Sequence, residues 1–353
     1  MCDQPRPQER AVPNAYISGT GAYVPKRVVT NDDLVRDYGI DTTNEWIIKR
    51  TGIEARRFAP AGWCSADLAL PAAKQAVANA GLALGDLGMI LFATLSPKHA
   101  FPGDGVYLQE KLGLCEAGHF VPAMDIRNQC SGFLYGLATA TSMVQSGMVD
   151  NVLLVGSEIH SAALDLTTRG RTVSSLFGDG AGAVVVSATE QDRGVRGWYL
   201  GADGRFADQL SQKVWDMSQR PFIPVRDEDG VAEIAPEMLY AHMEGRLVFK
   251  NAVERMIQAM MQACWAQKLD LKDIDLFCFH QANMRINQMV AQMMKIPEDK
   301  VPHNIHKYGN TTAATIPLLL AEAEAEGRLR PGMKVACAAF GSGFTWGSAI
   351  IDW

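Results

Sequence analysis

Short, unbroken runs of apolar residues recur along the whole chain and alternate with segments of helical spacing. An unbroken run is typical of a strand buried on both faces, because a strand with one face in water needs polar residues at alternate positions. The runs are LGMILFAT, HFVPAMDI, VDNVLLVGSE, GAGAVVVSA, IDLFCFH, KVACAAF and GSAIIDW. Helices are predicted at 65–81, near 103–113, in SGFLYGLATATSMVQSG, at 243–267, from 282 onward and at 312–326. This alternation predicts an α/β fold with layers of helices on buried sheets.

Helix starts and domain limits follow from the same pattern. Ser65 is the expected N-cap of the first helix, and Thr311 or Thr312 of the last. The alternation resumes past residue 190, which predicts two similar halves, 15–190 and 191–353. Residues 1–14 are polar and are predicted to form a flexible tail. The segment 203–241 is polar and proline-bearing, shows no clean period and is interpreted as a long excursion from the second half.

Charge and cysteine content disfavour several classes of protein. The 353-residue chain has a formal net charge of −6, which gives no basis for nucleic-acid binding. It has seven cysteines, an odd number without any CxxC pair, so a metal site and a disulfide framework are both poor interpretations. No apolar segment has the length of a membrane span, and the N-terminus lacks the apolar core of a signal peptide. We therefore expect a cytoplasmic protein that binds no metal, nucleic acid or membrane.

Cys130 differs from the other cysteines in its position. It lies between a predicted strand that ends at Ile126 and a glycine-bearing helix start, Ser131-Gly132. A side chain in such a turn lies at the positive end of a helix dipole, which favours thiolate over thiol. The thiolate is the nucleophile of covalent catalysis. On this observation alone, Cys130 is either a nucleophile or an inert buried cysteine.

Two polar residues occupy comparable positions in the second half. His280 follows the predicted strand IDLFCF, at the end of a buried strand where α/β folds place ligand sites. Asn310 lies in HKYGNTTAA, immediately before a predicted helix. Taken singly, His280 could be a satisfied structural histidine and Asn310 a turn residue that follows a glycine.

Together these residues and their surroundings resemble the β-ketoacyl-acyl-carrier-protein synthase III family of the thiolase superfamily. The resemblance spans about 15–353 and rests on NEWIIKRTGIEARR, DIRNQCSGFLYGL, LFGDGAGAVVV, FHQAN, HKYGNTTAA and FGSGFTWGSA. A Cys-His-Asn order with HQAN and GNT separates this group from ketosynthases with two histidines and from thiolases with a second cysteine. The resemblance implies a thiolase-like α/β fold in which two similar βαβ halves form a layered αβαβα core.

The resemblance also implies a reaction. Cys130 would accept an acyl primer as a thioester, and His280 and Asn310 would hydrogen-bond the carbonyl of a malonyl thioester. The enolate left by loss of carbon dioxide would then attack the acyl group in a decarboxylative Claisen condensation. Backbone N–H groups of Cys130 and Ser342 would form the oxyanion hole, although the family has glycine where this chain has Ser342. The substrates would be coenzyme A or phosphopantetheine thioesters, with no further cofactor.

Binding roles carried over from the family stay expectations. Residues implied to bind the coenzyme A thioester or to order the site around it are Trp46, Arg50, Arg171 and Asn283. Lys250 and Arg285 would dock an acidic acyl carrier protein at the channel mouth. Phe101 would enter the acyl pocket of the partner in a homodimer, or it would simply pack in the core.

Four further interpretations remain open. The enzyme could instead be a stand-alone ketosynthase of secondary metabolism that joins two acyl or β-ketoacyl thioesters head to head. It could also be a thioester-dependent acyltransferase, although Asn310 argues against a reaction that needs no enolate. Asp104 either caps a helix start or acts as a carboxylate at the shared interface. The excursion at 203–241 is predicted to shape a pocket for a primer longer than acetyl, or only to extend the dimer contact.

Overall fold

The computed structural model describes residues 12–214, 216–218 and 234–353, so most of the predicted tail lies outside the described residues. The strands are β1 (Asn14–Tyr23), β2 (Arg27–Thr30), β3 (Ala55–Phe58), β4 (Met89–Ala93), β5 (Ala123–Ile126), β6 (Asn151–Glu158), β7 (Gly180–Thr189), β8 (Gly194–Ala202), β9 (Leu210–Ser211), β10 (His242–Met243), β11 (Leu276–Phe279), β12 (Lys334–Gly341) and β13 (Thr345–Asp352). The helices are α1 (Asn31–Tyr38), α2 (Asn44–Thr51), α3 (Ser65–Asn79), α4 (Asp104–Lys111), α5 (Gly132–Gln145), α6 (Arg171–Ser174), α7 (Pro236–Leu239), α8 (Gly245–Ala266), α9 (Met284–Met294), α10 (Ile305–Tyr308) and α11 (Thr315–Ala325).

Two mixed sheets with the same internal pattern organise the chain. The first has the order β1-β7-β6-β4-β5, in which β1/β7 and β7/β6 are antiparallel and β6/β4 and β4/β5 are parallel. The second has the order β8-β13-β12-β11, with two antiparallel pairs followed by a parallel pair. The second sheet therefore repeats the first four positions of the first sheet. A domain boundary near residue 190 stays a prediction.

Helices form three layers around these sheets. α3 packs on β1, β7 and β6, on the outer side of the first sheet, and α8 packs on β13, β12 and β8, on the outer side of the second. α5 and α11 lie between the sheets, since each contacts strands of both. The largest apolar cluster combines residues of α5, α11 and both sheets, because both faces of this central layer are covered. The layered αβαβα arrangement expected from the sequence is confirmed.

Two helix starts differ from the sequence prediction. The N-cap of α3 is Cys64, whose backbone N–H donates to Asp67 at 2.8 Å. Ser65 does not cap because its hydroxyl donates to the carbonyl of Ser96 at 2.8 Å. α11 begins at Thr315 after a 3-10 turn and has no side-chain cap, so neither of the predicted threonines caps it. At α3 a tertiary hydrogen bond replaced the local one that the sequence suggested.

The described part of the excursion returns to the second half through a small antiparallel pair, β9 with β10. Leu210 in β9 packs against the apolar cluster on the α8 side, whereas Met217 is exposed. Trp215, Phe222 and Ile223, which motivated the prediction of a packed excursion, lie outside the described residues. Within the described ranges, no helix combines the length and apolar content that crossing a bilayer requires.

Candidate functional site

Cys130 lies in a tight turn between β5 and α5, as the sequence predicted. The turn is a 3-10 turn, Gln129–Ser131, and α5 begins at the next residue. Gln129 has a φ of +44°, a left-handed conformation that is uncommon for residues other than glycine, asparagine and aspartate. Strained backbone of this kind concentrates at functional sites, where the surrounding structure holds it in place.

The end of β12 approaches this turn closely. A Cβ added to Gly341 would lie 2.8 Å from the Cβ of Cys130 and 3.1 Å from its backbone nitrogen. Both distances are shorter than an ordinary van der Waals contact, so only glycine fits at this position. The close approach brings the loop after β12 beside the nucleophile candidate.

The loop after β12 is fixed at three points. The Thr345 hydroxyl donates to the carbonyl of Ser342 at 2.9 Å and lies 2.7 Å from the Ser131 hydroxyl, next to Cys130. The Ser342 hydroxyl donates to the carbonyl of Leu210 in β9. Ser342 does not have a positive φ, so serine adopts the backbone that this position requires without glycine's freedom. The hydroxyl that departs from the family pattern therefore ties this loop to the excursion.

The resting state of Cys130 differs from the expectation of a thiolate. Burial raises the pKa of the Cys130 thiol to about 12, and the negative charge of Glu158 acts in the same direction. The desolvation penalty on the thiolate is the largest of these effects, and it acts against the expected thiolate. Cys130 rests as a thiol at neutral pH and must lose its proton as it reacts.

His280 is held at the end of β11 with one ring nitrogen free. Its backbone N–H donates to the carbonyl of Ala338 at 2.8 Å, and its Nδ1 lies 2.7 Å from the hydroxyl of Thr315. Nε2 is buried without a hydrogen-bond partner in the described part of the chain. Burial lowers the pKa of His280 to about 3, so the imidazole is neutral at physiological pH.

The hydroxyl of Thr315 sets the tautomer of His280. It lies 3.0 Å from the carbonyl of Thr312, to which it can donate, and 2.7 Å from Nδ1. When its single hydrogen goes to Nδ1, Nε2 carries a hydrogen and is a donor; when it goes to the carbonyl, Nε2 is an acceptor. His280 can therefore serve as either a donor or a proton acceptor.

Asn310 presents its amide nitrogen in a fixed direction. Its backbone bridges the chain at Phe177, and its Oδ1 accepts the backbone N–H of Thr312 at 2.8 Å. Because this bond needs an acceptor, it fixes the orientation of the amide, with the oxygen toward Thr312 and Nδ2 as the other atom. Nδ2 has no hydrogen-bond partner among residues that the structure describes. Asn310 thus offers N–H donors.

Two cavities meet at Cys130. The smaller, of about 240 Å³, is lined by Cys130, His280 and Asn310. The larger, of about 1340 Å³, is lined by Cys130, Ser342 and residues of the excursion. A nucleophile at the junction of two cavities can hold a group in one cavity while a second reactant enters through the other.

Residues expected to bind the thioester carrier lie at the smaller cavity. The guanidinium of Arg50 lies 4.2 Å from the ring centre of Trp46, and that of Arg171 lies 5.4 Å from the same ring. Trp46, Arg50 and Asn283 line the cavity. The Asn283 side chain accepts the N–H of Arg285 at the start of α9 and donates to the carbonyl of Arg50 at 3.1 Å. The structure therefore brings Trp46, Arg50 and Asn283 together with the catalytic candidates, and Arg171 lies beside the Trp46 ring.

Comparison with known proteins gives one consistent result. A family model described as 3-oxoacyl-[acyl-carrier-protein (ACP)] synthase III matches residues 124–204, and the model of its C-terminal part matches 264–353. A protein of Koribacter versatilis named beta-ketoacyl-[acyl-carrier-protein] synthase III is 38% identical over 97% of this chain and 99% of its own. The structure of the Aquifex aeolicus 3-oxoacyl-[acyl-carrier-protein] synthase III has a TM-score of 0.84 at 37% identity, covering 96% of this chain and 100% of its own.

The chain belongs to the β-ketoacyl-[acyl-carrier-protein] synthase III family. It is a condensing acyltransferase with the thiolase-like fold. The priming β-ketosynthase of the R1128 polyketide pathway is also similar, with a TM-score of 0.84 at 27% identity and 98% coverage of both chains. Family membership therefore confirms the fold and the reaction class that the sequence predicted.

The residues expected to dock a carrier protein or to reach a partner subunit lie at the surface. The side chain of Lys250 is 71% exposed, and the guanidinium of Arg285 lies 5.8 Å from the ring centre of Phe249, which lines the smaller cavity. Phe101 is 85% exposed, so the alternative that it packs in this chain's own core is wrong. An apolar ring this exposed is consistent with insertion into a second copy.

Asp104 does not cap its helix, which was one of its two interpretations. The N-cap position of α4 is Gly103, and Asp125 accepts the backbone N–H groups of Asp104 and Gly105 at 2.7 and 2.8 Å. The Asp104 carboxylate turns back to accept the N–H of Lys98 at 3.0 Å. Asp104 is 0% exposed, so it is also not positioned to enter a partner's active site.

Sequence reasoning missed Thr315, Thr312 and Gly341. Thr315 lies five residues after Asn310 in a stretch interpreted as helix interior, and its role depends on a strand 35 residues away. The contact of Gly341 with Cys130 is equally non-local. In the described ranges, no group of three or more His, Cys, Asp or Glu side chains could hold a metal ion.

Proposed function

We propose that this enzyme acylates itself on Cys130 and then condenses the acyl group with a malonyl thioester to give a β-ketoacyl thioester. One observation carries the proposal: Cys130 lies where two cavities meet, and His280 and Asn310 line one of them. Acylation requires one cavity for the primer, and condensation requires a second approach for the extender.

In the first half-reaction the sulfur of Cys130 attacks the carbonyl of the primer thioester. The leaving coenzyme A or phosphopantetheine thiolate takes up the proton that Cys130 loses. The tautomer of His280 with an unprotonated Nε2 is suited to relay that proton, because the thiol is the resting form. N–H groups of Cys130 and Ser342 stabilise the oxyanion, which the rigid loop at Ser342 supports.

In the second half-reaction the malonyl thioester occupies the smaller cavity. Nδ2 of Asn310 and the Nε2–H of His280 donate to its carbonyl oxygen while the carbon–carbon bond to the carboxylate breaks. Carbon dioxide leaves, and the electron pair forms an enolate stabilised by the two donors. The enolate carbon attacks the acyl-Cys130 carbonyl, and the sulfur of Cys130 leaves and regains a proton.

The partners are proposed from the same geometry. Trp46 and Arg50 contact the coenzyme A thioester, because a planar cation stacked on an aromatic ring suits adenine and phosphate groups. Lys250 and Arg285 dock an acidic acyl carrier protein. A homodimer in the cytoplasm places Phe101 in the partner's acyl pocket. No cofactor beyond these thioesters is proposed, and the excursion at 203–241 shapes the pocket for a primer longer than acetyl.

The condensing mechanism and the acyltransferase alternative differ in what Asn310 does. We expect Asn310→Ala to lower the rate of malonyl-thioester decarboxylation about 100-fold, because one oriented donor to a developing oxyanion contributes that much. Acylation of Cys130 should fall far less. The measurement compares labelled carbon dioxide release with the mass increase of the protein, and Cys130→Ser is the control that abolishes acylation.

Two results would contradict the proposed roles of Asn310 and Cys130. If Asn310→Ala decarboxylates malonyl thioester at the wild-type rate while acylation is intact, enolate stabilisation is not its role. An adduct that maps to Cys64 or Cys264, with none at Cys130, would reject the nucleophile. The fully buried Asp104 supports condensation with a malonyl thioester over head-to-head condensation that uses a carboxylate of the partner.

A further inference from the structure

His160 lies on the wall of the larger cavity and takes no part in the chemistry described above. It follows β6 and is only 8% exposed. Its ring packs against Phe177, with the ring centres 4.7 Å apart. Burial lowers the pKa of His160 to about 3, so its imidazole is neutral. A neutral imidazole has one nitrogen that donates and one that accepts.

A chain of hydrogen bonds determines which ring nitrogen of His160 donates and which accepts. Nε2 of His160 lies 3.1 Å from the hydroxyl oxygen of Thr312. Burial raises the pKa of Glu158, and hydrogen bonds from Ser96, Thr312 and other donors oppose that rise. Glu158 accepts the backbone N–H of Leu95 at 3.1 Å and that of Ser96 at 3.1 Å. Since the Thr312 hydroxyl donates to Glu158, we infer that its oxygen accepts from the Nε2–H of His160.

The other nitrogen, Nδ1, is therefore an acceptor. It has no hydrogen-bond partner within residues 12–214, 216–218 and 234–353. The side chain shares its cavity with Cys130, so an acyl group on Cys130 that extends into this cavity has His160 on the wall. A hydrocarbon chain would displace water from Nδ1 and leave a buried acceptor unpaired, which is unfavourable.

The lining of this cavity also includes polar side chains of the excursion. The excursion contributes Gln209, Ser211 and Gln212 to the lining, beside the apolar Leu210 and Val214. A cavity built only for a hydrocarbon chain does not need these groups, since apolar pockets use few polar side chains. These polar side chains suit an acyl group with a polar substituent.

We propose that His160 is a specificity-determining residue that selects a hydroxylated acyl primer, by accepting a hydrogen bond from the primer hydroxyl at Nδ1. The proposal rests on the proposed acylation of Cys130. It assigns a chemical class to the primer: a short acyl thioester with a hydroxyl group, in preference to the plain alkyl thioester of the same length.

The test measures the rate of Cys130 acylation by intact-protein mass for four coenzyme A thioesters. These are butyryl, 3-hydroxybutyryl, 4-hydroxybutyryl and 3-oxobutyryl. We expect at least one hydroxylated thioester to react about three- to tenfold faster than butyryl, which is what a single buried hydrogen bond contributes. The 3-oxo thioester can only accept a hydrogen bond, so it should gain nothing from an acceptor at Nδ1.

Two variants of His160 and one control complete the design. His160→Leu removes the acceptor, and the hydroxyl-to-alkyl rate ratio should fall to about one or below. His160→Gln offers an amide oxygen and should keep part of the preference. His119→Leu changes an exposed histidine and should keep the wild-type ratio. A merely structural role of His160 would lower all four rates together and leave the ratio unchanged.

The outcomes that overturn the inference are separate from those that overturn the proposed function. Equal wild-type rates for butyryl and both hydroxylated thioesters refute the role of His160. A wild-type preference for the 3-oxo thioester over both hydroxylated ones refutes the acceptor assignment. If His160→Leu does not fold, the hydroxyl-to-alkyl rate ratios of the wild type and of His160→Gln still test the role of His160. Absence of any adduct on Cys130 from every thioester instead refutes the proposed function, and this inference with it.

Discussion

Replacing Gly341 with alanine tests whether the geometry around Cys130 controls acylation. The added methyl group would lie 2.8 Å from the Cβ of Cys130 and 3.1 Å from its nitrogen. Carbon atoms in contact are normally about 3.5–4.0 Å apart, so the turn and β12 must separate by roughly 0.7–1.2 Å. Neither atom can move by a side-chain rotation, because both are fixed by the backbone. The strain should lower stability by about 1–3 kcal/mol.

A displacement of about 1 Å at a reacting group costs roughly 100-fold in rate. We therefore expect the acylation rate of Gly341→Ala, followed by intact-protein mass under single-turnover conditions, to fall by about that factor. The matched control is Gly204→Ala, because a Cβ at Gly204 meets nothing within 4 Å. Circular dichroism and the urea midpoint establish that the variants are folded. A folded Gly341→Ala that acylates within about threefold of the wild-type rate refutes this reasoning.

Three further predictions use other parts of the structure. Thr315→Val removes the hydrogen-bond partner of His280 Nδ1 and should lower malonyl decarboxylation about tenfold, whereas Thr315→Ser should restore it; equal rates for both variants would contradict the tautomer argument. Burial, reinforced by the negative charge of Asp125, raises the pKa of Asp104 to about 6 from 3.8. The stability that the neutral Asp104 carboxyl contributes to the folded state is therefore fully present below pH 4 and is lost as pH rises through 6. Asp104→Asn should then gain about 1–3 kcal/mol in unfolding free energy at pH 8 and almost nothing at pH 4, measured by urea denaturation, and equal gains at both pH values would exclude titration of Asp104 as the cause. Arg285→Glu should raise KM for a carrier-protein thioester and weaken its salt dependence without changing KM for the coenzyme A thioester; parallel effects on both would remove the docking role.

Much of the fold and the central residues of the site could be predicted from the sequence. Unbroken apolar runs identified the buried strands, and Cys130 and His280 both followed such runs at the edge where α/β sheets place their sites. These signals are local. The identity of the reaction came from the resemblance, since Cys130, His280 and Asn310 are separated along the chain and no spacing rule joins them.

The predictions that failed depended on competition between local and distant partners. Ser65 was expected to cap its helix, but its hydroxyl bonds a carbonyl 31 residues away. Asp104 was expected to cap, but Asp125 on the neighbouring strand supplies that acceptor. The thiolate of Cys130 was inferred from a helix dipole, yet burial, which a sequence does not reveal, raises the pKa of the thiol.

The division of the site between the two sheets has a consequence for folding. Cys130 comes from the part of the chain that forms the first sheet, and His280 and Asn310 come from the part that forms the second. The Ser131–Thr345 hydrogen bond that joins them closes a loop of 214 residues. Contacts so distant in sequence form late, and an isolated first half would expose the apolar face of α5 that the second sheet covers. The active site therefore forms at the last stage of folding. A chain whose two halves have folded but have not packed together has native-like secondary structure and no active site.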